Sequence, residues 1–347
     1  IKHKNFMSGL FYKSINFLLR SVKFMKISFL SICSVTVLYL TAQDYEYTKL
    51  DKSITETINS KSFSIDQSSY CRNRSDPESV IWEEDFSSPI LNNSHWSYSI
   101  GNAFNSGTTT VYGWGNNEQQ FYKDKKYKNT NTNDNLFIED GYLKIQPMKK
   151  KYRGFAYTSA RIHTQNKISY SYPSKLTFCF KNPKGIGLWP AFWLLPLSTD
   201  TWPTGGEIDI MEARGRITNI VSSALHYGNS PLDKNFTVKE ISVPTSVKFQ
   251  EKFHSITLEW RKNSLKFFLN DENEPYLSLE PSSTGISNFN YPFNESFYLI
   301  INLAIGGEFD NNLIDPSAMC FNRECSNHDD PNSRRFIIDW IEYAKLD

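Results

Sequence analysis

Short hydrophobic runs separated by polar turn clusters dominate the chain from about residue 80 to residue 344. β-Branched and aromatic residues predominate in these runs, a composition typical of strands. No stretch longer than about ten residues keeps the apolar period of a helix. The runs include residues 142–146, 175–180, 222–227, 254–260, 264–270, 296–304 and 335–344. This pattern predicts an all-β protein with a large β-sandwich in one unit.

The N-terminal part of the chain has a different pattern. Met25 and Lys26 precede an apolar run of about 16 residues that ends at Ala42. A basic start, a short apolar core and a small residue are typical of a secretory signal. A membrane anchor is the alternative, but a membrane span needs roughly 20 residues. We therefore expect a signal peptide at residues 25–42 and a secreted, extracellular product without a stable membrane anchor.

The signal peptide divides the rest of the chain. Residues 1–24 would be untranslated sequence or an extended leader. Residues 43–75 are polar and are predicted to form a linker, followed by a single domain at residues 76–347. Four N-x-S/T sequons agree with export and glycosylation. They lie at Asn73, Asn92, Asn235 and Asn294.

The charge of the expected mature chain argues against a polyanionic partner. The whole chain has 38 basic and 37 acidic residues. Residues 1–42 hold six of the basic residues and no acidic residue, so 32 basic and 37 acidic residues remain, a net charge of −5. Nucleic acid binding would require a basic face. A neutral or mildly cationic partner fits this composition better, and we expect no nucleic acid partner.

The cysteines are compatible with an oxidising compartment. Four remain when Cys33 leaves with the signal peptide, and secretion would allow these four to pair. Cys320 and Cys325 are close enough in sequence to close a small loop, which leaves Cys71 and Cys179 as the other pair. The alternative is that some of them stay as free, buried thiols.

The strongest chemical signal is an acid-rich strand that follows a PTGG turn signal and reads EIDIME. Alternation places Glu207 and Asp209 on one face of this strand. It would send Glu212 to the opposite face. One extra residue, a β-bulge near Ile210 or Met211, would return Glu212 to the face of the other two acids.

The spacing of these acids suits hydrolysis of a glycosidic bond. With the bulge, the backbones of Glu207 and Glu212 lie about 13 Å apart, and their side chains could approach to the roughly 5–5.5 Å of a retaining glycosidase. Clustered carboxyls raise one another's pKa, so Glu212 would be the acid/base, Glu207 the nucleophile and Asp209 a helper. An exposed acidic edge strand or a calcium-binding cluster is the alternative, and spacing alone does not decide.

Several sequence blocks, in order from Trp82 to Lys345, resemble glycoside hydrolase family sixteen in its laminarinase-like (endo-β-1,3-glucanase) branch, which is related to β-1,3-glucan recognition proteins. The blocks are GWGNNEQQFY from Gly113, KGIGLWPAFWLLP from Lys184, GEIDIME from Gly206, ALHYG from Ala224, INLAIGGEFD from Ile301 and IIDWIEYAK from Ile337. The extra residue of GEIDIME matches this branch. Residues 316–333 do not align with it.

The resemblance implies a β-jelly-roll sandwich of two curved antiparallel sheets with a concave glucan-binding cleft. It implies that residues 76–347 are the catalytic domain, with Glu207 as nucleophile, Asp209 as helper and Glu212 as acid/base. It also implies substrate-binding roles for six side chains, although His226 and Trp193 could equally be core residues. These six are Asn116, Arg161, Trp189, Trp193, Trp202 and His226.

The resemblance further implies a structural calcium ion bound by Asp85, the Gly141 carbonyl and Asp339. The sequence reads EEDF around Asp85, where relatives have DEF. Catalysis would require no cofactor.

The function expected from the sequence is endo-acting, retaining hydrolysis of β-1,3-glucan by a monomer. One alternative is a non-catalytic β-1,3-glucan recognition protein. Such proteins resemble this fold but have the carboxylates replaced, whereas all three acids are intact here. The other alternative is a hydrolase of the same fold that acts on mixed-linkage glucan or galactan.

Overall fold

Two antiparallel sheets carry most of the strands in the computed structural model, which describes residues 69–124, 135–198, 202–284 and 291–346. Most of the strands coincide with the β-branched and aromatic runs of the sequence. In chain order they are β1 (Val80–Glu84), β2 (Ser97–Tyr98), β3 (Ala103–Ser106), β4 (Thr109–Tyr112), β5 (Gln120–Tyr122), β6 (Leu136–Glu139), β7 (Tyr142–Ile145), β8 (Tyr157–Ser159), β9 (Arg161–His163), β10 (Ser174–Lys181), β11 (Leu188–Pro196), β12 (Glu207–Glu212), β13 (Ile220–Ser230), β14 (Asp233–Ser242), β15 (His254–Arg261), β16 (Ser264–Leu269), β17 (Leu277–Leu279), β18 (Phe297–Ile305) and β19 (Phe336–Lys345).

Helical structure within the described ranges is short. It consists of one α-helical turn and several 3-10 turns. The α-helical turn is α1 (Pro281–Thr284), and the 3-10 turns are Pro77–Ser79, Gly113–Gly115, Pro292–Asn294, Glu308–Asp310, Pro316–Ala318 and Pro331–Arg334.

The first sheet, which we call the outer sheet, has the strand order β17-β16-β15-β10-β19-β7-β6, with β1 also paired to β19. The second sheet has the order β14-β13-β12-β11-β18-β9-β2. We call it the cleft sheet because β12 carries the predicted catalytic acids. The predicted all-β jelly-roll sandwich is confirmed. Outside the two sheets, β3 pairs with β4, and β5 pairs with β8 in parallel.

Aromatic side chains fill the space between the two sheets. Phe178 of β10 stacks on Phe192 of β11, with ring centroids 3.6 Å apart. Trp260 of β15 meets Phe297 of β18 edge-on at 5.4 Å. All four side chains are buried. Because each buried aromatic side chain contributes about 1.5–3 kcal/mol, this layer holds the cleft sheet against the outer sheet.

The structure corrects the C-terminal boundary of the predicted linker. The sequence predicts a linker up to residue 75, but residues 69–75 pack against the outer sheet. The Tyr70 N–H donates to the Phe253 carbonyl at 2.8 Å, and Arg72 donates to the carbonyls of Asn270 and Glu272. The polar composition of these residues does not indicate the packing, because the contacts are made mostly by the backbone, by Arg72 and by a disulfide at Cys71. The predicted signal peptide, leader and residues 43–68 of the linker lie outside the described residues.

Both disulfides expected from the cysteine spacing are present. Cys71 pairs with Cys179, which ties residues 69–75 to β10 across a sequence separation of 108. Cys320 pairs with Cys325 across a separation of 5. The second bridge is buried with Met148.

The four sequons differ in accessibility. Asn73, Asn92 and Asn235 are exposed. Asn294 is only partly exposed, and its amide nitrogen donates to Asn263 Oδ1. Asn294 is therefore the least accessible of the four. No helix among the described residues is long and apolar enough to cross a membrane.

The two disulfides should differ in their effect on stability. We expect Cys71→Ala/Cys179→Ala to lower the free energy of unfolding by about 2–3 kcal/mol more than Cys320→Ala/Cys325→Ala, because a bridge that closes a longer loop removes more entropy from the unfolded chain. Calorimetry without reductant should then show a melting temperature about 5–10 °C lower for the first double variant. Equal melting temperatures, or the opposite order, would contradict this expectation.

Candidate active site

A bulge in β12 shapes the candidate active site. Trp193 of β11 pairs with Asp209, and the next pair along the two strands is Phe192 with Met211. Ile210 therefore has no partner of its own on β11 and is the extra residue. The predicted bulge near Ile210 or Met211 is confirmed.

The bulge brings three acids to one face of the cleft sheet. Glu207, Asp209 and Glu212 pair with every second residue of β13, namely His226, Ala224 and Ser222. Because every second residue of a strand points to the same side, the three acids share a face although they do not alternate in the sequence. Ser223, between two of these partners, donates its hydroxyl to the Ile210 carbonyl at 2.6 Å, which satisfies a backbone group at the bulge.

The turn before β12 requires glycine. Gly206 has a φ of +81°, and a Cβ atom there would lie 3.0 Å from Cε1 of the buried Phe293. Its N–H donates to the Pro203 carbonyl at 2.9 Å. A side chain at position 206 would be strained by its backbone conformation and crowded, so this turn delivers Glu207 to the start of β12 only with glycine there.

Glu207 is held by an indole from the preceding turn. The Trp202 Nε1–H donates to Glu207 Oε2 at 2.7 Å. The Trp202 side chain is still 38% exposed, and its ring lies 6.0 Å from that of His226. Trp202, predicted as a substrate-binding residue, thus also anchors the predicted nucleophile.

Asp209 is buried beside His226. The residue is 3% exposed, and its Oδ2 lies 3.1 Å from His226 Nε2. Burial raises the pKa of Asp209 well above its usual value, and the charges of Glu207 and Glu212 raise it further. Burial alone would lower the pKa of His226, but the hydrogen bond and charge of Asp209 outweigh it and raise this pKa to about 9. The imidazole is therefore protonated at neutral pH.

Glu212 is a carboxyl that stays largely protonated in mildly acidic solution. Burial, with a smaller contribution from Glu207, raises its pKa to about 7, although the charges of His226 and Arg214 act in the opposite direction. The Trp189 Nε1–H donates to Glu212 Oε1 at 2.9 Å, which favours the ionised form. A carboxyl with a pKa near neutrality can both donate and accept a proton.

A stack of side chains supports Trp189. Its ring lies against that of Phe309, with centroids 4.9 Å apart. The Arg214 guanidinium covers Phe309 at 4.1 Å and pairs with Glu240 at 2.8 Å. Gly307 makes room for the indole, because a Cβ atom there would lie 2.8 Å from Trp189 Cζ3. These contacts fix the direction of the Trp189 N–H.

Arg161, another predicted substrate-binding residue, lies between two indoles. Its guanidinium carbon is 4.3 Å from the Trp114 ring centroid and 4.7 Å from that of Trp193. The Trp193 Nε1–H donates to Asn302 Oδ1 at 2.7 Å, and Asn302 pairs with Arg161 between β18 and β9. Two cation–π contacts therefore hold a permanent positive charge near Trp193.

Asn116, also predicted to bind substrate, lies exposed in the loop before β5. Its carbonyl accepts from the Glu308 N–H at 2.8 Å. The buried Glu118 lies two residues further on and accepts from Gln120 Nε2 at 2.6 Å and from the Tyr122 hydroxyl at 3.0 Å. Burial raises the pKa of Glu118. The buried network anchors this loop next to Arg161.

The sequence did not predict roles for Glu118, Asn302 or Phe309. Each lies inside a block that resembles the family, but the resemblance implies no role for these side chains. The available signal was a polar residue inside an otherwise apolar run, as for Asn302 in INLAIGG. Phe309 gives no such signal, because its role depends on contacts across the fold.

The carboxyl cluster meets the spacing requirement for a metal ion. Ligand atoms of Glu207, Asp209 and His226 lie within 4.8 Å of one another. A histidine that binds a metal ion must first lose its proton, and the raised pKa of His226 makes that loss more costly.

The residues predicted to bind calcium lie on the outer sheet. Strand β1 pairs with β19 from Ile341 onwards, and β7 pairs with β19 up to Ile338. Asp85 directly follows β1, Gly141 directly precedes β7, and Asp339 lies on β19 between the two paired segments. Burial raises the pKa of Asp339. The three residues therefore lie on neighbouring segments of one sheet, and the calcium site stays a prediction.

Comparison with known proteins agrees with this site. The profile of "Glycosyl hydrolases family 16" matches residues 117–315. Glucan endo-1,3-beta-glucosidase A1 of Niallia circulans is 35% identical over 246 residues, which are 67% of this chain and 34% of that protein. Glucan endo-1,3-beta-glucosidase of Cryptopygus antarcticus is 32% identical over 238 residues, 66% of this chain and 80% of that one. The X-ray structure of endo-beta-1,3-glucanase from Pyrococcus furiosus has a TM-score of 0.63 at 28% identity and covers 77% of this chain and 94% of that chain.

The sandwich, the bulged acid-bearing strand and these similarities define a glycoside hydrolase. The chain spans about a third of the Niallia circulans protein but most of the other two. It belongs to glycosyl hydrolase family 16.

The hydrogen bond from Trp189 should have a measurable effect on Glu212. We expect Trp189→Phe, which keeps an aromatic ring against Phe309 but lacks the N–H, to raise the pKa of Glu212 above about 7 because the ionised form loses a donor. Carbon-13 NMR titration of labelled glutamate carboxyls would measure it. Trp202→Phe, which removes the donor of Glu207, is the matched control. An unchanged or lowered pKa in Trp189→Phe would contradict the expectation.

Proposed function

We propose that the protein is an endo-acting β-1,3-glucanase that hydrolyses its substrate with retention of configuration. The observation that carries this proposal is the placement of Glu207 and Glu212 on one face of the cleft sheet by the bulge at Ile210. Relatives that are endo-1,3-β-glucanases support β-1,3-glucan as the substrate. The raised pKa of Glu212, which keeps this carboxyl protonated in mildly acidic solution, supports the reaction.

In the first half of the reaction, Glu212 donates its proton to the glycosidic oxygen while Glu207 attacks the anomeric carbon. The pKa of about 7 leaves Glu212 protonated in mildly acidic solution. The product is a covalent glycosyl-enzyme, and its formation removes the negative charge of Glu207. The charge of Glu207 is one of the causes that raise the pKa of Glu212.

In the second half, Glu212 accepts a proton from the water that attacks the glycosyl-enzyme. Loss of the Glu207 charge makes Glu212 easier to deprotonate, so the first step prepares the acid to act as a base. Asp209 and His226, whose Oδ2 and Nε2 atoms lie 3.1 Å apart, remain beside Glu207 in both steps. No metal ion takes part in these steps.

The sugar rings would bind through stacking and hydrogen bonds. Exposed indole faces suit the C–H faces of pyranose rings, whereas guanidinium and amide groups suit hydroxyls. Trp189, Trp193 and Trp202 would provide the first kind of contact, and Arg161 and Asn116 the second. His226 would donate from its protonated ring beside Asp209.

The intact acids favour an enzyme over a pure recognition protein. Glu207 and Glu212 each accept an indole N–H, an arrangement that binding alone would not need. We further propose secretion after removal of residues 25–42, a monomeric state without a membrane anchor, and a structural calcium ion at Asp85, Gly141 and Asp339.

A panel of polysaccharides tests the substrate. We expect the wild-type protein to release reducing ends from soluble β-1,3-glucan faster than from mixed-linkage glucan or galactan, with oligosaccharides as early products. Glu207→Gln should lower turnover by at least about 10³-fold because the nucleophile is lost, while it still binds the glucan. Faster cleavage of another polymer would reassign the substrate. Binding without any cleavage by the folded wild-type protein would indicate a recognition protein.

A second experiment tests the role of Glu212. We expect Glu212→Ala to lower kcat/KM on β-1,3-glucan by about 10²–10⁴-fold, since proton transfer to the leaving group is lost. An aryl glycoside with a good leaving group does not need that proton, so the covalent intermediate should still form, and added azide should release it as the β-glycosyl azide. If the aryl substrate stays uncut, or azide yields the α-anomer, the assignment of Glu212 within a retaining mechanism is wrong.

A further inference from the structure

An exposed phenylalanine lies in line with the catalytic acids. Glu207 of β12 pairs with His226 of β13, and His226 pairs with Phe236 of β14. Directly opposite residues of antiparallel strands point to the same side, so Phe236 lies on the face that carries the acids. Strand β14 is the edge of the cleft sheet, and the Phe236 side chain is 62% exposed there.

Phe236 belongs to a continuous aromatic surface. Its ring lies 6.1 Å from that of His226, which in turn lies 6.0 Å from that of Trp202. The Lys234 ammonium lies over the Trp202 ring at 5.6 Å. Val238, two residues beyond Phe236 on the same face, is 44% exposed. The surface thus extends from Trp202, whose indole donates to Glu207, to the edge strand β14.

The packing of the sandwich does not require this surface. Apolar side chains on an edge strand are a liability for aggregation, and the other face of β14 presents the polar Asn235 and Thr237. An aromatic face bordered by the donors Lys234 and His226 matches a pyranose ring, which has an apolar C–H face and a rim of hydroxyls. The surface is continuous with Glu207, so its occupant would be the same polymer that the acids cut.

We propose that Phe236 is a sugar-binding platform that extends the glucan cleft across β13 to β14, beyond the two sugar rings that flank the cut bond. Adjacent strands lie about 4.8 Å apart, so β14 is about 10 Å from β12. A polysaccharide chain would reach Phe236, whereas a short substrate confined to the acids would not. This inference rests on the proposed function, because it assumes that a glucan lies in the cleft.

Substrates of two lengths test the platform. We expect Phe236→Ala to lower kcat/KM on a long β-1,3-gluco-oligosaccharide about tenfold, mainly through KM, because part of an aromatic contact surface is lost. On an aryl β-1,3-linked disaccharide it should match the wild type. Phe236→Trp should retain wild-type values on both. Asn235→Ala, which changes an exposed neighbour on the other face of β14, is the matched control and should change neither. All variants are produced without N-glycans, because Asn235 is the acceptor of a sequon.

The outcomes separate this inference from the proposed function. Wild-type kinetics of Phe236→Ala on the long substrate would overturn the platform, and so would an equal loss on both substrates. If the wild-type protein cuts neither substrate, the proposed function fails. In that case, the affinity for soluble β-1,3-glucan tests whether Phe236 binds sugar. Phe236→Ala should bind the glucan about tenfold more weakly than the wild type. Equal affinity of the two proteins would overturn the inference.

Discussion

The single extra residue at Ile210 is the constraint on which the site depends. Side chains of a strand alternate between its two faces, so without an inserted residue Glu212 would point into the core of the sandwich. The bulge turns it towards Glu207 while Ile210 itself stays buried. The hydroxyl of Ser223 on the neighbouring strand satisfies the Ile210 carbonyl. A local irregularity of the backbone, rather than a flexible loop, therefore sets the relation between the two glutamates.

The charges of the cluster follow from this arrangement. Carboxyls brought together on a largely buried face cannot all lose their protons at neutral pH, and the imidazolium of His226 partly offsets their repulsion. Such a cluster destabilises the sheet that carries it. The stacked aromatic layer between the sheets and the disulfide at Cys71 stabilise other parts of the fold. This stability offsets the unfavourable repulsion among the clustered carboxyls.

Much of this architecture could be predicted because it is encoded locally. Alternating β-branched and aromatic runs indicate strands, and the order of acids in EIDIME already requires an inserted residue to place Glu212 beside Glu207. Contacts between distant segments were not accessible in this way. The indole pair around Arg161 joins separate elements. Phe236 lies within the sequon at Asn235, and that motif does not indicate a role in substrate binding. The folded domain begins before the predicted residue 76 for the same reason, since residues 69–75 are held by backbone contacts, by Arg72 and by Cys71.

The close approach of Gly307 to Trp189 has a consequence for how the protein tolerates mutation. Position 307 lies in a loop nearly a hundred residues after the acids, and any side chain there would meet the indole. Substitution need not unfold the sandwich, yet it would displace the donor that Glu212 uses. Natural variants at this position would therefore behave as loss-of-function alleles with normal expression, and a screen based on protein abundance would miss them.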